Sequence, residues 1–276
     1  LHTTEPIKSI KFRQHELTQS KGLLLQNMFG LYQEPIGEVK TCDISKDGKS
    51  VLLTGKTDIP NITLAQLDKN KTKHFYAYKD HRNWVDAKFL SKDAFVSVLD
   101  SSGTLYLWRR HKKDYYFKKD SLPFIINQIA VLDTNTLWIT SNEKGQYLYQ
   151  INKKKYQKVS DINSNSLFMV KGKIILSDIR HQLVFMNPHT FEIEATFNGH
   201  TERITDISFH PEKDVFISSS DDGTVRLWDY SKEELVASII PFKNNEVMIF
   251  TSDNHYLISK GAIDEIGFRY KGQFFY

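Results

Sequence analysis

A chain of 276 residues is long enough for two average domains or one large all-β domain. Hydrophobic residues are 40% and charged residues 25%, a globular balance that excludes disorder, and the 13% of aromatic residues favours strands. The single cysteine, Cys42, excludes an intrachain disulfide or a multi-cysteine zinc site, the net charge of +4 does not itself point to nucleic acid, and no apolar run is long enough for a membrane-spanning helix.

The opening LHTTEPIKSI has no basic-then-apolar leader pattern, and Leu1 is not an initiator methionine, so a piece of a longer, cytoplasmic polypeptide is expected. Gly22 opens the first alternating run, GLLLQN, with too few residues before it for a full set of strands. Cys42 follows in VKTCDIS, a predicted strand where it reads as a small core residue. Gly48-Lys49-Ser50 has the ending of a phosphate-binding loop, but the earlier glycine that loop needs is Asp43 here. The segment SKDGKS before VLL is therefore read as a turn between strands. Asn61 then opens NITLAQ, Gly103 opens GTLYLW, Gly145 opens GQYLYQ, His181 opens HQLVFM, Gly223 opens GTVRLW and Glu265 opens EIGFRY.

These openings recur with a period. Gly145 lies 42 residues after Gly103, His181 36 after Gly145, and Gly223 42 after His181. The fullest copy is NGHTERITDISFHPEKDVFISSSDDGTVRLWD, Asn198 to Asp229. It predicts a strand from Arg203 to Phe209, one from Val215 to Ser219, a tight Asp-Asp-Gly turn, and one from Thr224 to Trp228. A second copy starts at His81. A repeat of about 40 residues with four short strands is what a β-propeller requires, because one such sheet buries neither face alone. The expectation is an all-β propeller of about seven blades, the first and last incomplete, filling 1–276 as a single domain.

Gly199-His200 followed by Arg-Leu-Trp-Asp at 226–229 resembles a WD40 repeat. The resemblance covers most of the chain by spacing and one unit by close motif. It implies a structural network of His200, Ser220, Asp222 and Trp228, with Ser219 as the other choice for the serine. The earlier unit keeps His81 and Trp108 but has Ser102 at the Asp position. The tail, SDNHYLISKGAIDEIGFRYKGQFFY, resembles the stretch that ends the WD40 region in bacterial proteins carrying a caspase-like peptidase domain.

Catalytic chemistry is not legible. The ten histidines form no H-E-x-x-H pair, and no G-x-S-x-G elbow occurs. The Asp221-Asp222-Gly223 cluster lacks the further oxygen ligands and distal Glu of a calcium loop. No metal and no cofactor are predicted.

Two surfaces can be read from the repeat register. One is the turn after each anchored strand. It carries Lys69, Lys71 and Lys73 in one unit, Arg109, Arg110, Lys112 and Lys113 in the next, and Lys153, Lys154 and Lys155 in the third. Two readings stand side by side: a row of solvated hairpin turns, or one basic rim for an acidic protein, a phosphate or nucleic acid. The other surface is the opposite face, with Trp84, Arg203 and Asp221 as partner-binding candidates; Trp and Arg are typical binding hot spots, though Trp84 also fits packing on a neighbour.

The expected function is a non-catalytic protein-interaction, sensor or regulatory module, with a protein partner and an associated caspase-like protease outside the chain. A nucleic-acid- or polyanion-binding propeller and a propeller hydrolase are the alternatives. No membrane partner is predicted.

Overall fold

A computed structural model describes residues 38–56, 61–69, 71–76, 84–99, 101–141, 144–242, 245–253, 255–265, 268–270 and 273–275. Four antiparallel sheets of four strands each follow one another along the chain. Sheet 1 holds β1 (Glu38–Ile44), β2 (Ser50–Lys56), β3 (Asn61–Gln66) and β4 (Lys71–Tyr76). Sheet 2 holds β5 (Trp84–Ser91), β6 (Ala94–Leu99), β7 (Thr104–His111) and β8 (Asp114–Ser121). Sheet 3 holds β9 (Gln128–Val131), β10 (Thr136–Ser141), β11 (Gly145–Gln150) and β12 (Lys155–Ser160). Sheet 4 holds β13 (Ser164–Val170), β14 (Lys173–Asp178), β15 (Leu183–Met186) and β16 (Ile193–Phe197).

Sheet 5 begins in the same way, with β17 (Ile204–Phe209), β18 (Val215–Ser220), β19 (Val225–Asp229) and β20 (Glu234–Pro241). It then continues outward through β21 (Val247–Thr251) and β22 (Tyr256–Ile258), giving six strands in sequence order. A 3-10 turn over Lys260–Glu265 and a hairpin of β23 (Phe268–Tyr270) with β24 (Gln273–Phe275) complete the described elements.

The blade count differs from expectation: the described residues form five blades, not seven. The five anchors from Asn61 to Gly223 do open the third strand of each blade or lie one or two residues before it. The first expected unit, anchored on Gly22, lies outside the described residues. The last fails for a local reason. The chain reverses tightly between Pro241 and Val247, with the Phe242 amide donating to the Glu246 carbonyl at 2.9 Å. That hairpin lays β21 on the outer edge of β20 instead of starting another sheet, and Glu265 ends the 3-10 turn rather than opening a strand.

The chain divides into two compact units, 1–167 and 168–276. In the first, the second strand of sheet 2 is buried on both faces, so it reads as a near-continuous apolar run, AFVSVL, interrupted by the buried Ser97, rather than an alternation. Phe95 and Leu99 pack with Leu52, Ile62 and Trp84 on one side, while Val96 and Val98 pack with Leu137, Ile139 and Tyr149 on the other. In the second unit Phe185, Phe197, Phe216 and Trp228 close an aromatic core between sheets 4 and 5. Cys42 is half-buried on β1, opposite Leu53.

Candidate interaction surfaces and the network behind them

The best-defined polar site is built on the β18–β19 turn. Gly223 takes a left-handed φ of 81°, which lets the chain reverse in four residues. Asp222 on that turn accepts hydrogen bonds at Oδ1 from the Thr224 amide (2.9 Å) and hydroxyl (2.7 Å). Its Oδ2 lies 2.8 Å from His200 Nδ1 and accepts from the Thr201 amide at 3.1 Å. His200 Nε2 in turn lies 2.8 Å from Ser218 Oγ, and Trp228 Nε1 donates to the same oxygen at 2.8 Å.

The donor and acceptor inventory fixes every direction in this chain. An indole N–H can only donate, so the Ser218 oxygen accepts from Trp228. The ionised Asp222 can only accept, so His200 carries its proton on Nδ1 toward it, and the Nε2 of the neutral ring accepts the Ser218 proton. Burial lowers the His200 pKa against the raising effect of Asp222, which suits this neutral imidazole. Burial alone would raise Asp222, but bonds from Thr224, His200 and backbone amides bring it down to about 2. Gly199 makes room above: a Cβ there would sit 2.2 Å from Arg226 Nη1.

The serine of the network is therefore Ser218, not Ser220 or Ser219. Phe216 pairs with Trp228 across the strands, so Ser218, two residues on, shares the indole's face. Ser220 lies on the same face but at the turn, where its hydroxyl donates to the Glu202 carbonyl and accepts from the Asp222 amide. Ser219 points to the other face and meets Thr205.

Sheet 2 repeats part of this arrangement. Trp108 Nε1 donates to Ser97 Oγ at 2.9 Å, and Phe95 stacks on Trp108 as Phe216 stacks on Trp228. Ser102 accepts from the Thr104 amide, as Asp222 does from Thr224. His81 lies outside the described residues. Sheet 3 has a different solution, which sequence reading missed. Trp138 sits on the second strand and donates to Gln146 Oε1 at 3.0 Å, while Gln146 Nε2 donates to the Ile162 carbonyl and to Ser164.

A second missed feature joins the sheets of the first unit. Asp43 on β1 accepts from the Phe89 amide on β5 at 2.7 Å, and Asp86 on β5 accepts from the Ile129 amide on β9 at 3.0 Å. Gln128 on β9 accepts from the Leu167 amide on β13 at 2.7 Å. Within the first unit β1 thus holds β5, and β5 holds β9, each through one side-chain acceptor. Lys88 Nζ lies 3.3 Å from Asp86; burial works against its charge, yet Asp86 and Asp43 hold its pKa above the ordinary lysine value. The sequence signal was an acid set among the apolar residues of a first strand, in TCDI and WVDA.

Of the partner-face candidates, Trp84 is a core residue. It is 1% exposed and packs edge-on against Tyr106 at 5.0 Å and Trp108 at 6.3 Å. Its burial leaves nothing for a partner to grip. Arg203 and Asp221 are surface residues joined to each other, with Arg203 Nε donating to Asp221 Oδ2 at 3.0 Å.

The basic residues cluster at three successive turns. Lys69, Lys71 and Lys73 lie on the β3–β4 turn and β4; Arg109, Arg110, Lys112 and Lys113 on the β7–β8 hairpin; Lys153, Lys154 and Lys155 on the β11–β12 turn. All are exposed except the half-buried Lys73. Lys73 pairs with Asp114 of the next sheet at 2.7 Å, and Lys154 lies 3.7 Å from Asp120 of sheet 2. Tyr149 of sheet 3 also donates to Asp120. The first two turns are thus neighbours, whereas the third meets sheet 2 at the end of β8 away from its hairpin turn, where Asp120 pairs with Leu105.

Comparison with known proteins agrees with this architecture. The family model of the WD domain, G-beta repeat, matches residues 191–229. The WD repeat-containing protein 55 homolog of Dictyostelium discoideum is 21% identical over 267 residues, covering 93% of this chain and 64% of that protein. Polyadenylation factor subunit 2 of Cryptococcus neoformans is 30% identical over 104 residues, which is 35% of this chain and 14% of that protein. Pre-mRNA-processing factor 19 of Mus musculus is 27% identical over 95 residues, 31% of this chain and 19% of that protein. The chain therefore spans less than two thirds of these relatives. Among solved structures, the Myceliophteria thermophila Cps50 (Swd1) β-propeller domain superposes with a TM-score of 0.62 at 10% identity, over 83% of this chain and 85% of that one. Kluyvelomyces marxianus Hsv2 superposes with a TM-score of 0.52 at 11% identity, over 78% and 73%. Residues 191–229, which hold Ser218, Asp222 and Trp228, are a WD40 repeat, and the fold is that of a β-propeller.

Proposed function

We propose that this chain is a non-catalytic protein-interaction module of a larger cytoplasmic assembly. The observation that carries the reading is the fate of Ser218, His200 and Asp222. Their spacings match those of a hydrolytic triad. Yet Ser218 is 1% exposed, its oxygen is already occupied by the Trp228 N–H, and the His200 side chain is 1% exposed. No substrate reaches that oxygen, so the three residues hold a turn in place. What remains at the surface is recognition chemistry: the Arg203–Asp221 pair and the basic turns. The names of the relatives, a pre-mRNA-processing factor and a polyadenylation factor subunit, support a role in assembling proteins.

The test is affinity capture of a protein partner by the intact chain, compared with Arg203→Glu/Asp221→Arg. Capture that is specific and falls in the variant, at unchanged melting temperature, is expected. Turnover of an ester substrate that vanishes in Ser218→Ala would overturn the reading.

The finer form of the proposal rests on the resemblance of residues 252–276 to the end of WD40 regions that accompany caspase-like peptidases. In this form, partner binding changes the restraint on a peptidase domain of the same polypeptide. A flanking reading frame that encodes no peptidase domain overturns it.

A further inference from the structure

Between sheets 1 and 2, at the rim where their basic turns meet, lies a cleft of about 200 Å³. Lys71, Lys73, Arg110 and Lys113 line it, with Tyr115 as its apolar wall over the buried Leu64, and among the described residues no acidic one lines it. Two of the four cations are already held. Lys73 is tied to Asp114 at 2.7 Å and to the Lys113 carbonyl at 3.4 Å. Arg110 is tied to Asp93 at 3.4 Å and to the Lys112 carbonyl at 3.0 Å. Lys71 and Lys113 have no carboxylate within ion-pairing distance among the described residues.

We propose that this cleft docks an acidic peptide segment of a partner protein, with side-chain carboxylates pairing with Lys71 and Lys113 and an aliphatic side chain against the partly buried Tyr115. The inference rests on the interaction reading above and names the chemistry of one partner. The size argues for a side chain: small-molecule sites enclose roughly 300–1,000 Å³. The charge argues for an anion, and the lining already accepts carboxylates at its edge, through Lys73 and Arg110. A nucleic-acid backbone fits less well. To follow the three basic turns it would pass Asp114, Asp120 and Asp93, each seated among the cations, whereas affinity for nucleic acid grows with every phosphate neutralised. A peptide with separated carboxylates needs only the two unpaired lysines.

The experiment is fluorescence anisotropy of the intact chain with a labelled Glu-Ala repeat peptide. A Gln-Ala repeat peptide and a single-stranded oligothymidylate serve as the comparison probes. The Glu-Ala peptide is expected to bind, and the Gln-Ala peptide and the Lys71→Gln/Lys113→Gln variant to lose about tenfold or more in affinity, with weaker binding at higher salt. Both positions are exposed, so the melting temperature should not move; should it fall, Lys113→Gln alone, on a hairpin turn, serves in its place. Failure of the Glu-Ala peptide to bind, equal binding by the variant, or tighter binding of the oligothymidylate would each overturn the inference. Partner capture that persists in Lys71→Gln/Lys113→Gln but is lost in Arg203→Glu/Asp221→Arg would sink this cleft alone and leave the interaction reading standing.

Discussion

Ser218 is shared between Trp228, which donates to its oxygen at 2.8 Å, and His200, which receives its proton at 2.8 Å. One buried hydroxyl therefore couples a strand, a loop and a turn that are separated in sequence. Removing it leaves two buried polar groups without partners.

Ser218→Ala should cost about 1–3 kcal/mol for those groups. His200→Ala should cost a similar amount, and Trp228→Ala about 3–5 kcal/mol as a large aromatic truncation. Ser220→Ala, which loses two part-buried bonds to the backbone of the turn and of Glu202, should cost less than Ser218→Ala, which strands two deeply buried ring nitrogens. Urea unfolding of the four variants gives the order; equal losses at Ser218 and Ser220 would show that the network serine is misassigned.

Acid should weaken the fold through the same network. The His200 pKa is lowered in the folded state, so its contribution is complete above the unfolded value near 6.5 and fades as pH falls below it. Asp222, lowered from 3.8 to about 2, adds a second loss as pH falls through that interval. Melting temperature measured from pH 7.5 to 5 should fall more steeply in the native chain than in His200→Gln. Parallel curves would mean that His200 binds protons equally in both states.

Trp84 and Arg203 should separate stability from recognition. Trp84→Ala removes a side chain packed against Tyr106 and Trp108 and should cost about 3–5 kcal/mol. Arg203→Ala breaks only an exposed ion pair and should change stability by less than about 1 kcal/mol. Thermal melts of the two variants decide the matter, and a silent Trp84→Ala would contradict its place in the core.

Asp86 supports both a neighbouring strand and a half-buried cation. Asp86→Ala leaves the Ile129 amide unpaired and Lys88 without its nearest carboxylate, a loss of about 3–5 kcal/mol. Asp86→Asn keeps an acceptor for the amide and should cost less, and adding Lys88→Met to it should restore part of the loss. A double-mutant cycle with no coupling between Asp86 and Lys88 would refute the pairing.

What the sequence determined by itself was local. The recurrence of Gly, Asn or His ahead of an alternating run placed the third strand of five blades, because hairpin turns depend on the few residues that make them. Turn chemistry likewise marked Asp222 and the lysine-rich hairpins. The sequence could not choose among Ser218, Ser219 and Ser220, since three consecutive serines carry no local distinction; the pairing of Phe216 with Trp228 chose Ser218. Nor could it see that Trp84 is enclosed, that Asp43 and Asp86 hold successive sheets of the first unit together, or that Lys73 meets Asp114 across 41 residues. It counted seven blades where the described residues form five: the first expected unit lies outside them, and for the last, spacing alone does not say whether a strand starts a new sheet or joins the edge of the one before. Strand and turn formation answer to neighbours in the chain, whereas burial, hydrogen-bond partner and cleft depend on which faces stack, and that is settled only when the sheets pack.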